Sequence, residues 1–289
     1  MAKIVGTDLA DALFGSELDD VIQGLAGSDY IWGGAGNDDV SGGLGGDSVY
    51  GGLGDDVLRG GAGDDMLYGD EGNDSLSGGS GDDMLYGGTG LNTISGGDGN
   101  DTITAGGGDD TISGGSGFDT LDYSQASSGI NANLSTHIIT GFGSSTADGI
   151  EKLVGSSFND VLTGDAGANV LIGGAGDDIL RGKVGADTLT GGDGHDTFVY
   201  MKKDVVVGGV HQGVDKITDF ASNDTIDLRD FFRGGAPADI DSAVKISWDG
   251  AKSTLSVDAG GGNFVDVATF TAHFGDSVIP LVMDNIILV

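Results

Sequence analysis

The chain contains no cysteine and only 2 prolines among its 289 residues. Disulfide bridges and thiolate metal sites are therefore excluded. Basic residues are also scarce, because 12 lysines and arginines stand against 46 aspartates and glutamates, for a formal net charge of -34 at pH 7. No basic patch is present to meet nucleic-acid phosphates or an anionic membrane surface, so we expect neither partner. The composition predicts that cations are the partners.

Long apolar runs are missing as well. No stretch approaches the ~18 apolar residues of a transmembrane helix, so we expect no membrane insertion. The first residues, MAKIVGTDLADALFG, hold one lysine and no apolar run of signal-peptide length. We therefore expect any export to proceed without a cleaved N-terminal signal. The 59 glycines have no three-residue period, which excludes collagen, and 38% hydrophobic residues can form a core if the acids are neutralised.

A nine-residue repeat occupies most of the chain. Thirteen units follow one another over residues 6–122, and five more run over residues 155–199. The first position of the unit is glycine except at Ala105. The sixth position is aspartate except at Asn92 and Asn169, and the eighth is always apolar. This fixed interval is the signature of a repeat architecture.

The repeat predicts an all-β fold, a parallel β-roll or β-solenoid. Positions seven to nine predict a short strand with position eight facing inward, and positions one to six predict a turn. Two successive units complete one coil, and the apolar side chains of two sheets meet in a thin core. Coils stack ~4.8 Å apart, so the sixth-position aspartates superimpose. Stacked carboxylates repel one another unless a cation lies between them.

The units GGAGNDDVS, GGAGDDMLY and GGDGNDTIT match the pattern GGxGxDxUx, in which U is a large apolar residue. In this the chain resembles the hemolysin-type, or RTX, calcium-binding repeat proteins. The resemblance implies multiple bound Ca²⁺ ions between successive coils, held by turn carbonyls and by the sixth-position aspartates. Ligation by oxygen alone favours Ca²⁺ over Mg²⁺ or Zn²⁺.

The candidate ligands are the sixth-position aspartates of the well-formed turns. We expect weaker or missing calcium in the end units, where Asp11, Asp20 and Asp160 lie in turns that lack the fourth glycine, and at the two uncharged asparagines. The candidates are Asp29, Asp38, Asp47, Asp56, Asp65, Asp74, Asp83, Asp101, Asp110, Asp119, Asp178, Asp187 and Asp196.

The frame divides the chain into four segments. Alternation of Ile130, Ala132 and Leu134 predicts a strand between the two repeat blocks. We interpret that stretch as a bridge that keeps the solenoid continuous. The predicted segments are a first RTX block over 1–122, a bridging β segment over 123–154, a second RTX block over 155–199, and a C-terminal cap and secretion region over 200–289.

The C-terminal region has a different pattern. The stretch VKISWDGAKSTLSVDA predicts a hairpin that turns at Asp249 and Gly250, and the chain ends MDNIILV. This resembles the C-terminal region of RTX proteins exported by type I secretion, which carries an uncleaved signal in roughly the last fifty residues. A plain β cap that closes the edge of the solenoid is the alternative, and both descriptions can apply to the same residues.

Motifs of an enzyme are not found. The four histidines form no HExxH pair, and no GxSxG nucleophile motif occurs. Repeats and the C-terminal region fill almost the whole chain, so we expect no enzymatic activity. His195 lies in a turn and is expected to be exposed.

Position nine carries an aromatic column. Its members recur in every second unit and should lie on one outer sheet face, whereas the other sheet carries mostly small polar residues there. Two interpretations stay open: stacked rings reinforce neighbouring strands, or an exposed apolar strip contacts a partner. That partner is a second copy, the chain's own C-terminal region or an extracellular polysaccharide. The column is Phe14, Trp32, Tyr50, Tyr68 and Tyr86.

Together these features predict a secreted calcium-binding repeat protein that folds on extracellular Ca²⁺. The predicted role is a structural, self-assembling or adhesive component of the cell surface or biofilm matrix. Two alternatives are a secreted effector and a carbohydrate-binding accessory module related to the RTX parts of polysaccharide-active enzymes.

Overall fold

The architecture comes from a computed structural model of the chain. The structure describes residues 1–207, 210–211, 213–232, 244–248, 252–258, 264–270 and 286–287. Over these residues the chain is almost entirely β-structure, with one four-residue helix, α1 (Lys202–Val205). This confirms the predicted all-β class.

The strands follow the repeat. In the first block they are β1 (Lys3–Val5), β2 (Ala12–Phe14), β3 (Val21–Ala26), β4 (Tyr30–Ala35), β5 (Asp39–Leu44), β6 (Ser48–Leu53), β7 (Val57–Ala62), β8 (Met66–Glu71), β9 (Ser75–Ser80), β10 (Met84–Tyr86), β11 (Thr93–Asp98), β12 (Thr102–Thr104), β13 (Thr111–Ser116) and β14 (Thr120–Asp122). The bridge contains β15 (Asn131–Asn133), β16 (Ile138–Thr140), β17 (Ser144–Asp148) and β18 (Lys152–Val154). Beyond it lie β19 (Val161–Thr163), β20 (Val170–Ala175), β21 (Ile179–Arg181), β22 (Thr188–Asp193), β23 (Thr197–Val199), β24 (Val206–Val207), β25 (Val210–His211), β26 (Asp215–Ile217), β27 (Thr225–Asp227), β28 (Val244–Trp248), β29 (Ser253–Asp258), β30 (Phe264–Phe270) and β31 (Ile286–Ile287).

The chain forms two compact units. Unit 1 comprises residues 1–126 and 137–152, and unit 2 comprises residues 127–136 and 153–289. In unit 1 the odd-numbered strands β1 to β13, followed by β17 and β16, form one sheet, which we call the polar sheet. The even-numbered strands β2 to β14 form the other, which we call the aromatic sheet. Each nonapeptide therefore supplies a strand to the sheet opposite that of its predecessor.

Parallel pairing between every second nonapeptide stacks the coils of unit 1. On the polar sheet Ile22 lies opposite Val40, and on the aromatic sheet Val49 lies opposite Leu67. These eighth-position side chains are all 0% exposed. Burial of a full apolar side chain in every unit is worth roughly 1.5–3 kcal/mol each. The predicted parallel β-solenoid with a thin core is confirmed.

Many strands are longer than the sequence pattern indicates. They run over six residues, from position seven of one unit to position three of the next, whereas three residues were predicted. Burial alternates along them, so that the first-position glycine also faces inward, as Gly24 and Gly42 do. The prediction that the turn begins at position one is therefore wrong, because the paired glycines join the ladder.

Position two requires a backbone conformation that favours glycine. Gly43 and Gly61 have φ angles of 122°, in the left-handed region. Leu25, Asp70 and Lys183 take the same position with φ angles of 83°, 69° and 80°. Residues with a Cβ are strained there by about 1 kcal/mol or more.

The bridge contributes to both units. The alternating residues Ile130, Ala132 and Leu134 are buried around β15, as predicted. A hairpin of β16 and β17 was not predicted. In unit 1 β17 pairs in parallel with β13, and Thr111 lies opposite Thr146, so this coil is much longer than two nonapeptides.

Unit 2 continues the repeat and then departs from it. β15, β19, β21, β23, β27 and β31 form one sheet, and β20, β22, β26, β30, β29 and β28 form the other. The predicted hairpin is present, because β28 pairs antiparallel with β29, although Asp249 and Gly250 of its turn lie outside the described residues. Arg181 binds the nearly buried Asp204 carboxylate of α1 at 2.6 and 2.9 Å, which fixes the helix against β21.

We expect Leu25→Gly to stabilise the calcium-saturated protein by about 1 kcal/mol. The change removes the strain of a positive φ, and little burial is lost because Leu25 is 43% exposed. Gly43→Ala, one coil further on, is the matched control. Its Cβ would lie 2.2 Å from the carbonyl oxygen of Leu25, so this variant should lose stability. Denaturant unfolding measures both, and a loss of stability in Leu25→Gly would contradict the strain argument.

Candidate metal centre

Each sixth-position aspartate lies directly before a strand, and all but Asp11 are buried. Asp65, before β8, is 2% exposed. Its Oδ1 atom accepts a hydrogen bond of 2.8 Å from the backbone N–H of Asp47, one coil earlier, and the Asp83 carboxylate accepts from Asp65 in the same way. The pattern repeats along both edges of the coil stack in unit 1 and again in unit 2. We call this row the buried ladder.

The second carboxylate oxygen has no hydrogen-bond partner. In thirteen of the buried aspartates the Oδ2 atom is fully buried and unpartnered. An ionised oxygen in this state carries a desolvation cost of several kcal/mol unless a cation compensates it. The thirteen are the residues that the repeat pattern selects: Asp29, Asp38, Asp47, Asp56, Asp65, Asp74, Asp83, Asp101, Asp110, Asp119, Asp178, Asp187 and Asp196.

The first-position glycine leaves room for this oxygen. A Cβ on Gly60 would lie 2.3 Å from Oδ2 of Asp65 and 2.7 Å from the carbonyl oxygen of Gly78, one coil further on. The same crowding by a carboxylate and a carbonyl recurs at Gly24, Gly96 and other first positions. Two kinds of oxygen therefore approach the same space beside each glycine, and a side chain there would displace both.

The end turns are built differently. The Oδ2 atom of Asp20 accepts hydrogen bonds from the N–H and hydroxyl of Ser16 at 2.8 and 2.7 Å. Thr7 donates to Oδ2 of Asp11 in the same manner. At Asp160 the N–H of Ser156 donates to Oδ2 and its hydroxyl donates to Oδ1. The residue at position two thus gives the carboxylate a partner within the protein that other turns lack, which is a physical reason to expect weaker calcium binding there.

A second, exposed ladder was missed by the sequence analysis. At position five, the Oδ1 atom of Asp55 accepts from the N–H of Asn73 at 2.8 Å, and that of Asp64 accepts from Asp82 at 2.9 Å. These bonds run in the opposite direction along the stack from those of the buried ladder. The signal was the recurrent Asp or Asn at position five. The row that contains Asp55 ends at Leu91 and the row that contains Asp64 ends at Phe118, because neither side chain offers an acceptor.

Two further members of the buried ladder lie beyond the recognised repeats. Oδ1 of Asp215 accepts from the N–H of Asp187 at 3.0 Å, and Oδ1 of Asp224 accepts from Asp196 at 3.1 Å. Each pair has a sequence separation of 28 in place of the usual 18, so an insertion hides the frame. The spacing of one nonapeptide between Asp215 and Asp224, with buried Ile226 two positions later, was the available signal.

Burial dominates the electrostatics of the buried ladder. Desolvation, together with the charge of the stacked neighbouring aspartates, raises the pKa of Asp56, Asp65 and Asp178 to about 7 each. Hydrogen bonds from the backbone oppose this shift without cancelling it. At Asp215, burial and the charge of Asp187 raise the pKa to about 8. Without a cation, these sites resist ionisation at neutral pH.

The donor set fits a hard cation with flexible coordination. Among the described residues no group of three or more carboxylate, imidazole or thiol side chains converges on one point. The carboxylates form rows instead, so a bound ion must take carbonyl oxygens from the glycine turns as well. Carboxylate and carbonyl oxygens in a high coordination number are the ligands of Ca²⁺.

The aromatic column is in register, but its rings do not follow the strand order. Tyr50, Tyr68 and Tyr86 stack in parallel planes with centroids 4.7 and 4.5 Å apart. Below them Tyr30, from position seven, takes the next place, 5.4 Å from Tyr50. Trp32 is 45% exposed, and none of the ring contacts among the described residues involves it.

The histidines do not form a shared site in the described part of the chain. His195 is exposed, as predicted, and its backbone N–H is bound by Asp177. His137 lies beside Asp148 at the surface of unit 1. His273 and the side chain of His211 lie outside the described residues.

The raised pKa values predict the pH dependence of the metal-free chain. A carboxyl group whose folded pKa lies above its unfolded value, 3.8, favours folding when protonated. This contribution is complete below about pH 4 and is lost as the pH rises through about 7. In a chelator, circular dichroism should show loss of β-structure between pH 5 and pH 8.

Two controls sharpen that measurement. In 1 M salt the general repulsion of surface charge is screened, whereas the buried groups are not, so the pH dependence should persist. With millimolar calcium it should disappear, since calcium binds the ionised form. Equal stability at pH 5 and pH 8 in the chelator would contradict the desolvation of these carboxylates.

Comparisons with known proteins identify the repeat. The RTX calcium-binding nonapeptide repeat matches residues 14–49, 50–85, 86–121, 145–180 and 172–200, more than half of the chain. Among solved structures, the AlgE6R3 subunit of the mannuronan C5-epimerase of Azotobacter vinelandii shares 31% identity, over 47% of this chain and 76% of that one, with a TM-score of 0.38. The extracellular lipase LipA of Serratia marcescens shares 20% identity, over 78% of this chain and 40% of that one, with a TM-score of 0.28. No curated protein matches the chain. Since its repeats match over most of their length, the chain belongs to the family of RTX calcium-binding nonapeptide-repeat proteins.

Proposed function

We propose that this protein is a secreted, calcium-folded structural component of the cell surface or extracellular matrix, without enzymatic activity. Its repeats are calcium-binding motifs, and such repeats are typical of secreted proteins. In the described part of the chain no helix has the length and apolar character needed to span a membrane.

We assign the calcium ions to the buried ladder. The thirteen unpartnered Oδ2 atoms carry this assignment, because each is an ionisable oxygen that the protein itself leaves without a donor. Carbonyl oxygens of the glycine turns complete the coordination. A bound Ca²⁺ supplies positive charge between coils, and the aspartates orient their oxygens toward it while Oδ1 holds the preceding coil.

Calcium binding then becomes folding free energy. At low calcium the ladder keeps its charge and opposes folding, which suits passage through a secretion channel. At extracellular calcium, ~1 mM, weak sites fill and stabilise the coil. We assign the export signal, which is not cleaved, to the last fifty residues. Most of those residues lie outside the described ones.

Asp65→Asn tests the ligand assignment. Asparagine keeps the Oδ1 acceptor for the Asp47 N–H but removes the buried charge. Calcium-dependent stabilisation should fall by about 1.4–2.7 kcal/mol, the linkage contribution of one site at ten to a hundred times its dissociation constant. Stability in chelator at pH 8 should be equal or higher, because an unpaired charge has been removed.

Asp64→Asn is the matched control, at the exposed fifth position of the same turn. It preserves the acceptor for the Asp82 N–H and removes the same charge. Calcium titration followed by calorimetry should leave this variant close to wild type. A purely structural role for Asp65 would instead lower stability equally with and without calcium.

Self-association through the aromatic sheet is the second part of the proposal. The exposed aromatic and methionine side chains of this face form a continuous strip, with Phe14 57% and Met84 45% exposed. Such a strip marks a contact surface on a protein whose other sheet is polar. Calcium lowers the net negative charge and so permits copies to approach.

Static light scattering during a calcium titration measures this association. Wild type should form large assemblies that dissolve in chelator, whereas the combined variant Tyr50→Ser, Tyr68→Ser, Tyr86→Ser should stay monomeric and still bind calcium. Replacement of Ser41, Ser77 and Ser95 by Ala at the same position of the polar sheet is the control. A compact wild-type monomer at all calcium concentrations would contradict self-association and leave the calcium assignment intact.

A further inference from the structure

A groove runs along one edge of the aromatic sheet, across the coils. It has a volume of about 630 Å³ and is lined by second- and third-position residues of five successive coils. Its floor is glycine backbone, its apolar wall is Trp32 with Ala35 and Leu53, and Glu17, Asp70 and Glu71 carry the charge. This surface is distinct from the buried ladder and from the stacked tyrosines.

Trp32 presents its ring differently from the tyrosines of the same column. In the stack of Tyr50, Tyr68 and Tyr86, interplanar angles of 1° and 3° mean that each ring covers its neighbour. Trp32 stands outside this stack and turns toward the groove. Its indole is therefore available to a ligand, and an indole face attracts cations.

One coil of the groove lacks the glycine that the repeat usually has at position two. Where other coils of this edge have Gly34, Gly52 and Gly88 at position two, this coil has Asp70, held at a φ of 69°. Leu25 and Lys183 share this strain at other turns, but Asp70 is the one of the three that lines the groove. Burial, and then the charge of Glu71, raise the pKa of Asp70, so the acidic pair lacks compensation within the protein.

The charges define the chemistry of the occupant. No basic residue lines the groove, and none of the ion pairs among the described residues involves its three carboxylates. An anionic polymer would be repelled. The acids are also too dispersed for one metal ion, since Glu17 and Glu71 are three coils, or roughly 14 Å, apart.

We propose that this groove binds an extended basic segment of another protein, with two lysine or arginine side chains about four residues apart. An extended chain covers roughly 14 Å in four residues, which matches the separation of Glu17 from the Asp70–Glu71 pair. One cation lies near Glu17 and Trp32, the other near the acidic pair, and the apolar side chain of the residue midway between them contacts Leu53. A second copy is a poor occupant, because this chain has only 12 basic residues.

Tryptophan fluorescence tests the proposal in the full, calcium-loaded chain. Trp248→Phe leaves Trp32 as the sole tryptophan. The probe is a blocked pentapeptide of sequence lysine-threonine-leucine-threonine-lysine, in which both lysines and the leucine lie on one face of the extended chain. It should change Trp32 emission saturably, and the peptide with glutamates in place of both lysines should not.

The matched variants remove two charges each. Asp70→Gly with Glu71→Ala gives the coil the glycine-rich turn found at residues 33–38, so it should fold at least as well, and it should weaken peptide binding at least fivefold, the size of two exposed ion pairs. Asp82→Asn with Asp98→Ala, outside the groove, should bind as wild type does.

Three results would overturn the proposal. They are the absence of saturable binding, equal binding by the groove variant, and equal or tighter binding of the neutral oligosaccharide cellohexaose. The last would make the groove a sugar site. Each titration is repeated in the Tyr50→Ser, Tyr68→Ser, Tyr86→Ser background, which is expected to stay monomeric, so that self-association through the aromatic sheet does not mask Trp32. The calcium assignment is measured separately.

Discussion

Burying an ionised oxygen without a donor costs several kcal/mol, and this chain repeats that burial in thirteen turns. The remaining features of the coil accommodate these oxygens. Glycine at position one leaves the space that Oδ2 occupies, and Oδ1 is committed to the N–H of the preceding coil. The metal-free fold is therefore destabilised at neutral pH by these unpartnered oxygens, and a cation that neutralised them would remove the destabilisation.

The features that depend on the strict nine-residue period could be predicted from the sequence. These features are the eighth-position core, the two sheets and the sixth-position acids, which all follow from the nine-residue frame. The pattern did not predict that the glycine pairs join the strands, because propensity assigns glycine to turns while stacking against identical neighbours overrides it. Asp215 and Asp224 were missed because an insertion shifts the frame although the backbone keeps its register.

The directions of the side chains also could not be predicted from the sequence. Phe14, Trp32 and Tyr50 share one column, yet the ring that packs between Phe14 and Tyr50 belongs to Tyr30. Side-chain rotamers are set by local packing and not by sequence spacing. The separation of Trp32 from the stacked rings therefore became visible only in the structure. The same holds for Ser16, whose hydroxyl donates a hydrogen bond to Oδ2 of Asp20 and so gives this oxygen a partner within the protein.

Because successive nonapeptides alternate between the two sheets, it matters to the structure whether an odd or an even number of units is gained or lost. Because each nonapeptide crosses to the opposite sheet, loss or gain of one unit would keep every apolar side chain in the core. It would nevertheless move all following units to the other face, so that loss of residues 51–59 would place Tyr68 beside Ser41 rather than beside Tyr50. A change of two units would keep the faces intact. Changes in length by whole coils therefore keep the two faces of such a chain, whereas the addition or loss of half a coil keeps the core pattern and exchanges the surfaces that partners meet.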